Sequence, residues 1–314
     1  MAGIYKSEAG RQLVEQQYRR ALERWPVACD QRLVPTRQGD TFVIVSGDPS
    51  AWPVVLFHGS GTNSASWMHD VASWARHHRV YAVDMIGEPG LSAPSRPPLA
   101  SPAYAEWLDD VWAGLGLAQA SVVGISLGGW LGLDFAIRRP DRVASLFLIA
   151  PSGIGRQNHV LLLKVGILGL FGRRGLLKSL ELVCGGAATL PQPMVDALLV
   201  VFRHFRPRME RIPRFTDADL AGLSIPVQVV VGSDDALLNS HETRERVERC
   251  VRNGSVVYLE HAGHVLPPQT ANVTEFLERI SSVQETDALG KPTCVRVLFG
   301  GRRSVDRHAK TGTQ

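Results

Sequence analysis

Val122-Val-Gly-Ile-Ser-Leu-Gly-Gly-Trp130 is an apolar run that stops at a Gly-x-Ser-x-Gly and resumes as a small-residue helical pattern through Ala136. A strand that turns at once into a helix pushes the residue at the joint out of the main chain. Here that residue is Ser126. A serine hydroxyl is a poor nucleophile unless geometry and a base activate it, and the turn supplies the geometry. Gly124 and Gly128 leave room for the sharp backbone, and the Leu127 amide, at a helix N-terminus, is free to stabilise an oxyanion. The motif alone is weak: with 30 Gly and 22 Ser in 314 residues, chance gives roughly 0.2 such patterns per chain. Without partners Ser126 would read as a turn serine.

The partners are present, each at the end of an apolar run and in the order serine, acid, histidine. Val227 to Gly232 is followed by Ser233-Asp-Asp235, and Val256 to Glu260 by His261-Ala-Gly-His264. Asp235 is favoured as the acid over Asp234, since either could simply cap the next helix. His264 is favoured as the base over His261, because the glycine beside it frees its loop to fold over the sheet end. The imidazole would take the serine proton while the carboxylate fixes its tautomer. Upstream, Val54-Val-Leu-Phe-His-Gly-Ser-Gly61 ends a further apolar run in a glycine-rich loop whose Ser60 amide is the candidate second oxyanion donor. His58 reads as the support of that loop, and His69, His77 and His78 as solvated helix residues. Neither glycine cluster fits a nucleotide cradle: Gly59 to Gly61 lacks the following Lys-Ser/Thr, and Ser126 stands where a dinucleotide fingerprint needs its second glycine.

With these pieces assembled, the chain resembles the α/β-hydrolase-fold carboxylesterases, most nearly the bacterial naproxen-esterase type. Beyond the serine turn, the resemblance rests on Tyr81-Ala-Val-Asp-Met-Ile-Gly87, Tyr104-Ala-Glu-Trp-Leu-Asp-Asp-Val111, Ala262-Gly-His-Val-Leu266 and the opening Tyr5-Lys-Ser-Glu-Ala-Gly10. It covers about residues 4 to 282, with 155 to 215 hardly matched. Related enzymes often carry Glu where this chain has Asp235, and either carboxylate can orient the histidine. The resemblance implies hydrolysis of a small-molecule ester through an acyl-serine, with Ser126, Asp235 and His264 catalytic, Ser60 and Leu127 forming the oxyanion hole, and no metal or organic cofactor. A thioesterase, a lactonase or a C–C bond hydrolase would use the same triad. A ligand-binding protein that kept the fold and lost turnover would have little use for the acid or the histidine.

Apolar runs at 54–58, 79–83, 120–125, 143–149, 226–231 and 254–259 alternate with helical stretches at 64–76, 102–116, 127–138 and 240–250. That alternation predicts an α/β fold, a mostly parallel sheet flanked by helices, with the site at the carboxyl ends of the strands. The expected organisation is an N-terminal helix within 1–30, a core of 31–151 and 217–284, a helical cap inserted at 152–216 and a tail at 285–314 without stable structure. The N-terminal helix, over 7–25, presents Leu13, Val14, Tyr18 and Leu22 at helical spacing and should pack on the sheet's outside. The cap is apolar from His159 to Leu182, where it should cover the acyl side of the pocket. Arg203, Arg206, Arg208, Arg211 and Arg214 then read as a solvated basic face.

Charge and cysteines exclude other classes. Net charge is +4, and the last thirty residues supply six Lys or Arg against three Asp or Glu, so the body is near neutral and has no nucleic-acid footprint. Lys164 and four glycines between 166 and 175 break the apolar cap into pieces too short for stable membrane insertion. Cys29, Cys184, Cys250 and Cys294 are too scattered for a disulfide framework, and the first thirty residues show no secretory apolar region, so a cytoplasmic location is expected. A homodimer stays open.

Overall fold

The computed structural model describes residues 3–184 and 191–288. Eight strands form one sheet: β1 (Cys29–Val34), β2 (Thr41–Ser46), β3 (Pro53–Phe57), β4 (Arg79–Val83), β5 (Ala120–Ile125), β6 (Val143–Ile149), β7 (Val227–Gly232) and β8 (Gly254–Leu259). Their order is β1-β2-β4-β3-β5-β6-β7-β8. From β4 to β8 all neighbours are parallel, while β1 and β2 add an antiparallel edge. The helices are α1 (Glu8–Leu22), α2 (Val71–Trp74), α3 (Ala103–Leu115), α4 (Leu127–Arg138), α5 (His159–Leu168), α6 (Gly172–Cys184), α7 (Gln192–His204), α8 (Asp217–Ala221), α9 (Ser240–Cys250) and α10 (Thr270–Ala288).

The central strands are apolar throughout because helices cover both faces of the sheet. Successive side chains point to opposite faces, so Val55, Phe57 and Val122 join one core while Val54, Leu56 and Val123 join the other. The first core receives Trp107, Val111 and Trp112 of α3, Trp130 and Phe135 of α4, and Val247 of α9. The second receives Tyr18 and Leu22 of α1, Trp74 of α2, and Val273 and Phe276 of α10. Trp107 is fully buried, and its indole N–H donates to Thr41 Oγ1 at 2.7 Å, so its burial leaves no polar atom unpaired.

Several expectations need correction. The edge strands β1 and β2 are not among the expected strands: β1, Cys-Asp-Gln-Arg-Leu-Val, is a mostly exposed polar edge. Its partner β2, Thr-Phe-Val-Ile-Val-Ser, holds the apolar run Phe42-Val-Ile-Val45 and is fully buried. Residues 64–76 are not one helix but a 3₁₀ turn at Ser64–Trp67, a second turn, and α2. Asn63 caps the first piece through the Ala65 amide, and the packing of Trp67 against Trp74, ring centres 5.7 Å apart, holds the broken geometry. His78 is buried rather than solvated, with Nδ1 3.3 Å from the Trp74 carbonyl oxygen, whereas His69 and His77 are exposed.

In α1 the buried positions are Gly10, Val14, Tyr18 and Leu22, an i, i+4 series, and Leu13 is half exposed. Only the second half of this helix lies on the sheet. The first half packs on the cap, where Ile4 and Val14 cluster with Val201 of α7 and with Phe205, which follows it. The Lys6 amide donates to the His204 carbonyl.

The segment between β6 and α8 folds as α5, α6 and α7, with Leu180, Val195 and Leu199 forming a small core of their own. Of the five arginines read as a solvated basic face, Arg203, Arg206, Arg211 and Arg214 are exposed as expected, and Arg208 is the exception. Arg208 is largely buried, pairs with Glu210 and donates to the Pro97 carbonyl and Tyr104 hydroxyl. Exposed Arg214 pairs with Glu242, and exposed Arg206 donates to the Tyr5 carbonyl. At the other end, α10 continues to Ala288, so the tail proposed from 285 begins inside a helix and 289–314 lies outside the described residues.

Candidate active site

Ser126 sits at the carboxyl end of β5 and is the N-cap of α4, with φ 51° and ψ −110°. A non-glycine residue in that region costs on the order of 1–3 kcal/mol and persists only when its surroundings fix it. They do so here. The Ser126 amide donates to the Ile149 carbonyl at 2.9 Å, and its carbonyl accepts from the Trp130 and Ser152 amides, both at 3.1 Å. The flanking glycines permit the close approach of strand and helix. A Cβ on Gly124 would lie 2.6 Å from the Gly128 carbonyl oxygen, and one on Gly128 would collide with the carbonyls of Phe57 and His58.

Three loops converge on this serine. His264 Nε2 lies 3.1 Å from Ser126 Oγ, and His264 Nδ1 lies 2.8 Å from Asp235 Oδ2. An Nδ1–H donated to the carboxylate leaves Nε2 with its lone pair toward the hydroxyl, which is the tautomer a general base requires. The Asp235 side chain is fully buried, and its second oxygen accepts from the Leu237 and Leu238 amides at 2.8 and 3.0 Å. Neighbouring Asp234 faces the other way, with its side chain 59% exposed and bonded to Ser233 Oγ. His261 is the residue of its loop at φ 59°, and its ring stands 92% exposed. The loops after β7 and β8 are held together through their backbones: the Asp234 amide donates to the Ala262 carbonyl and the Ser233 amide to that of Leu259, both at 2.9 Å.

The loop after β3 passes beside the serine, since a Cβ on Gly59 would lie 3.9 Å from Ser126 Cβ. Among the described residues, neither the Leu127 nor the Ser60 amide has a hydrogen-bond acceptor. Both are therefore available for an oxyanion. His58 is fully buried beneath this loop. Its Nδ1 donates to the Gly59 carbonyl and its Nε2 accepts from the Met85 amide, both at 2.9 Å, and burial lowers its pKa so that the ring stays neutral. Asp84, at the end of β4, accepts from Tyr18 Oη at 2.8 Å, the Ser64 amide at 3.0 Å and the Leu91 amide at 2.8 Å, tying α1 and two loops to the strand end.

Glu88 escaped the reading of the sequence. Placed in Gly87-Glu-Pro-Gly90 it looks like a solvated turn residue, yet it is buried, and Oε2 accepts from the Gly61 amide at 2.7 Å and faces Ser60 Oγ at 3.4 Å. It borders a narrow apolar cavity with Tyr104, Leu127 and Trp130. A lone acid in an otherwise apolar and Gly/Pro-rich stretch was the available signal. Burial raises its carboxyl above the ordinary glutamate range, opposed by the Gly61 hydrogen bond and the charges of Arg96 and Arg208. A folded-state value above the unfolded one gives stability that is complete below the unfolded value, about 4.3, and is lost as pH rises through the folded value. Glu88→Gln does not titrate. The Tm advantage of the wild type over this variant is expected to be greatest at about pH 4 and to shrink toward about pH 8; a difference that does not change with pH would contradict the assignment.

The fold agrees with the comparisons to known proteins. Residues 54–279 match the model of the alpha/beta hydrolase family. The chain belongs to that family. Within it, an uncharacterized carboxylesterase, nap, of Bacillus subtilis (strain 168) is 31% identical over 258 residues, covering 80% of this chain and 86% of that protein. Carboxylesterase YbfK of the same organism is also 31% identical, over 80% of this chain and 87% of its own length. The crystal structure of naproxen esterase (carboxylesterase NP) from Bacillus subtilis aligns with a TM-score of 0.74 at 28% identity, covering 86% of this chain and 96% of that one.

Proposed function

We propose that this alpha/beta hydrolase is a serine carboxylesterase acting on small or medium carboxylic esters. The observation that carries the reading is the continuous hydrogen-bonded line from Ser126 Oγ through His264 to the buried Asp235. Similarity to carboxylesterases over most of the chain supports it. As Ser126 Oγ attacks the ester carbonyl, its proton passes to His264 Nε2 and the carbonyl oxygen takes the negative charge, facing the Leu127 and Ser60 amides. Collapse breaks the bond to the alcohol, which leaves with the proton from His264. Water then gives a proton to the same nitrogen and attacks the acyl-serine, releasing the acid and restoring Ser126. Asp235 stays ionised and stabilises the imidazolium in both halves.

The acyl portion is assigned to the cap side. Phe202 of α7 reaches the loop after β3, where a Cβ on Gly61 would lie 3.5 Å from its ring. Leu162 and Leu168 of α5 are half-buried in the same insertion. Each buried methylene of substrate adds about 0.8 kcal/mol, roughly fourfold, until the pocket is full. The test is a panel of p-nitrophenyl esters of rising chain length beside acyl-thioesters and a lactone. Esters are expected to lead, and Phe202→Ala to shift the chain-length optimum upward while acetate-ester turnover stays within about threefold. Thioesters or the lactone outpacing every ester would replace the reading with the thioesterase or lactonase alternative.

A further inference from the structure

Helix α5, His-Val-Leu-Leu-Leu-Lys-Val-Gly-Ile-Leu, is apolar at every position but His159 and Lys164, a composition that belongs to a helix with partners on most sides. Only Leu161 within it is buried. Val160, Leu163 and Ile167 recur at steps of three and four along one outward face of α5, and the 3₁₀ turn that follows, Gly169–Phe171, adds Leu170 at 83% and Phe171 at 69% exposure. Isolated surface leucines need no explanation, but a continuous ridge of five large apolar residues marks an interaction site.

The charges around the ridge select its partner. From Gln157 to Leu180 the chain carries Lys164, Arg173, Arg174 and Lys178 and not one Asp or Glu. Lys178 pairs with Glu181, while Lys164, Arg173 and Arg174 are exposed and have no carboxylate partner among the described residues. A twofold contact would set this face against its own copy and bring cation against cation. The last thirty residues are themselves net basic and do not complement it. An exposed apolar ridge accompanied in the same stretch by three exposed cations without carboxylate partners fits an anionic lipid surface, with the side chains entering the headgroup and acyl boundary and the cations meeting lipid phosphates.

We propose that the cap docks through the Val160–Phe171 ridge onto the surface of anionic bilayers, without crossing them. No described helix is long and apolar enough to span a membrane. The ridge rises beside the acid's loop, since the Asn158 amide donates to the Leu237 carbonyl and its side chain to that of Ala236. Docking would therefore set the cap, and the site beneath it, at the lipid boundary.

The test is co-sedimentation of the full chain with vesicles of phosphatidylcholine mixed with phosphatidylglycerol, against vesicles of phosphatidylcholine alone, at low and high salt. Binding needs no turnover, so its outcome is independent of the esterase reading. Partition is expected to be at least about tenfold stronger on the anionic vesicles and to weaken with salt. Arg173→Gln with Arg174→Gln should remove most of that preference. Leu170→Ser with Phe171→Ser should weaken binding by at least about tenfold on either vesicle, while circular dichroism and Tm stay at wild-type values for both double variants and certify their fold. Failure of the wild type to sediment with either vesicle, or vesicle binding untouched by both double variants, would overturn the proposal. So would a concentration-dependent dimer abolished by the Leu170 and Phe171 changes, which would assign the ridge to a second copy.

Discussion

Ser126→Ala is expected to lower kcat for ester hydrolysis by at least about a thousandfold with the fold intact. The side chain is the sole group held at the strand-to-helix turn within reach of His264 Nε2, and alanine removes the atom that would form the acyl bond. Its backbone also explains why the variant should fold. The strained φ of 51° is imposed by hydrogen bonds of the main chain to Ile149, Trp130 and Ser152, none of which uses the hydroxyl. KM for the ester should change little, since the acyl and alcohol contacts remain. Activity within tenfold of wild type, after excluding contaminating esterase, would remove the mechanism.

Asp235→Asn should cost about 10³ to 10⁴ in kcat, and Asp234→Asn less than about threefold. The asymmetry follows from burial and direction. Asp235 receives the His264 Nδ1 proton at 2.8 Å inside a fully buried pocket, whereas Asp234 is solvated and bonds to Ser233. An asparagine at 235 can present its amide N–H to the ring, which favours the tautomer with the proton on Nε2 and so takes the base away from the serine. The Leu237 and Leu238 amides would still find an oxygen, so the loop should hold its shape. Equal losses in the two variants, or the reverse ranking, would move the acid to Asp234.

The parts of this site that were legible in the sequence are those fixed within a few residues. The serine turn is spelled out between Val122 and Trp130 because a strand, two close-packing glycines and a helix start are all local features. Asp235 and His264 follow apolar strands, and a parallel sheet brings strand ends together whatever lies between them. The sequence itself favours Asp235 over Asp234 and His264 over His261, and the structure adds that Asp234 and His261 are the exposed members of each pair while Asp235 and His264 are largely buried together. Glu88 was not legible, because its burial depends on Gly61 and Tyr104 meeting it from distant segments.

The same distinction runs through the fold. Six of the apolar strands were legible, β2 was missed despite its run Phe42-Val-Ile-Val45, and polar β1 was not readable, since an exposed edge need satisfy only its backbone and one neighbour. α1 showed its apolar stripe but not its double attachment, half to the sheet and half to α7, which arises from Ile4 and Val14 meeting Phe205. Of the arginines read as solvent-facing, Arg208 alone is largely buried, which was not readable because its acceptors, Tyr104 and the Pro97 carbonyl, are far away in the chain. Apolar content announced the cap, and only the structure reveals which side of α5 is left uncovered.

The claim that Ser126 is activated by His264 is tested most directly by reaction with a fluorophosphonate followed by peptide mapping, because such a reagent bonds rapidly only to a serine whose proton is being removed. One phosphonyl group per chain is expected, on the peptide containing Ser126, with the rate reduced at least about a hundredfold in His264→Ala and abolished in Ser126→Ala. Labelling at another residue, or at Ser126 with a rate indifferent to His264, would contradict it.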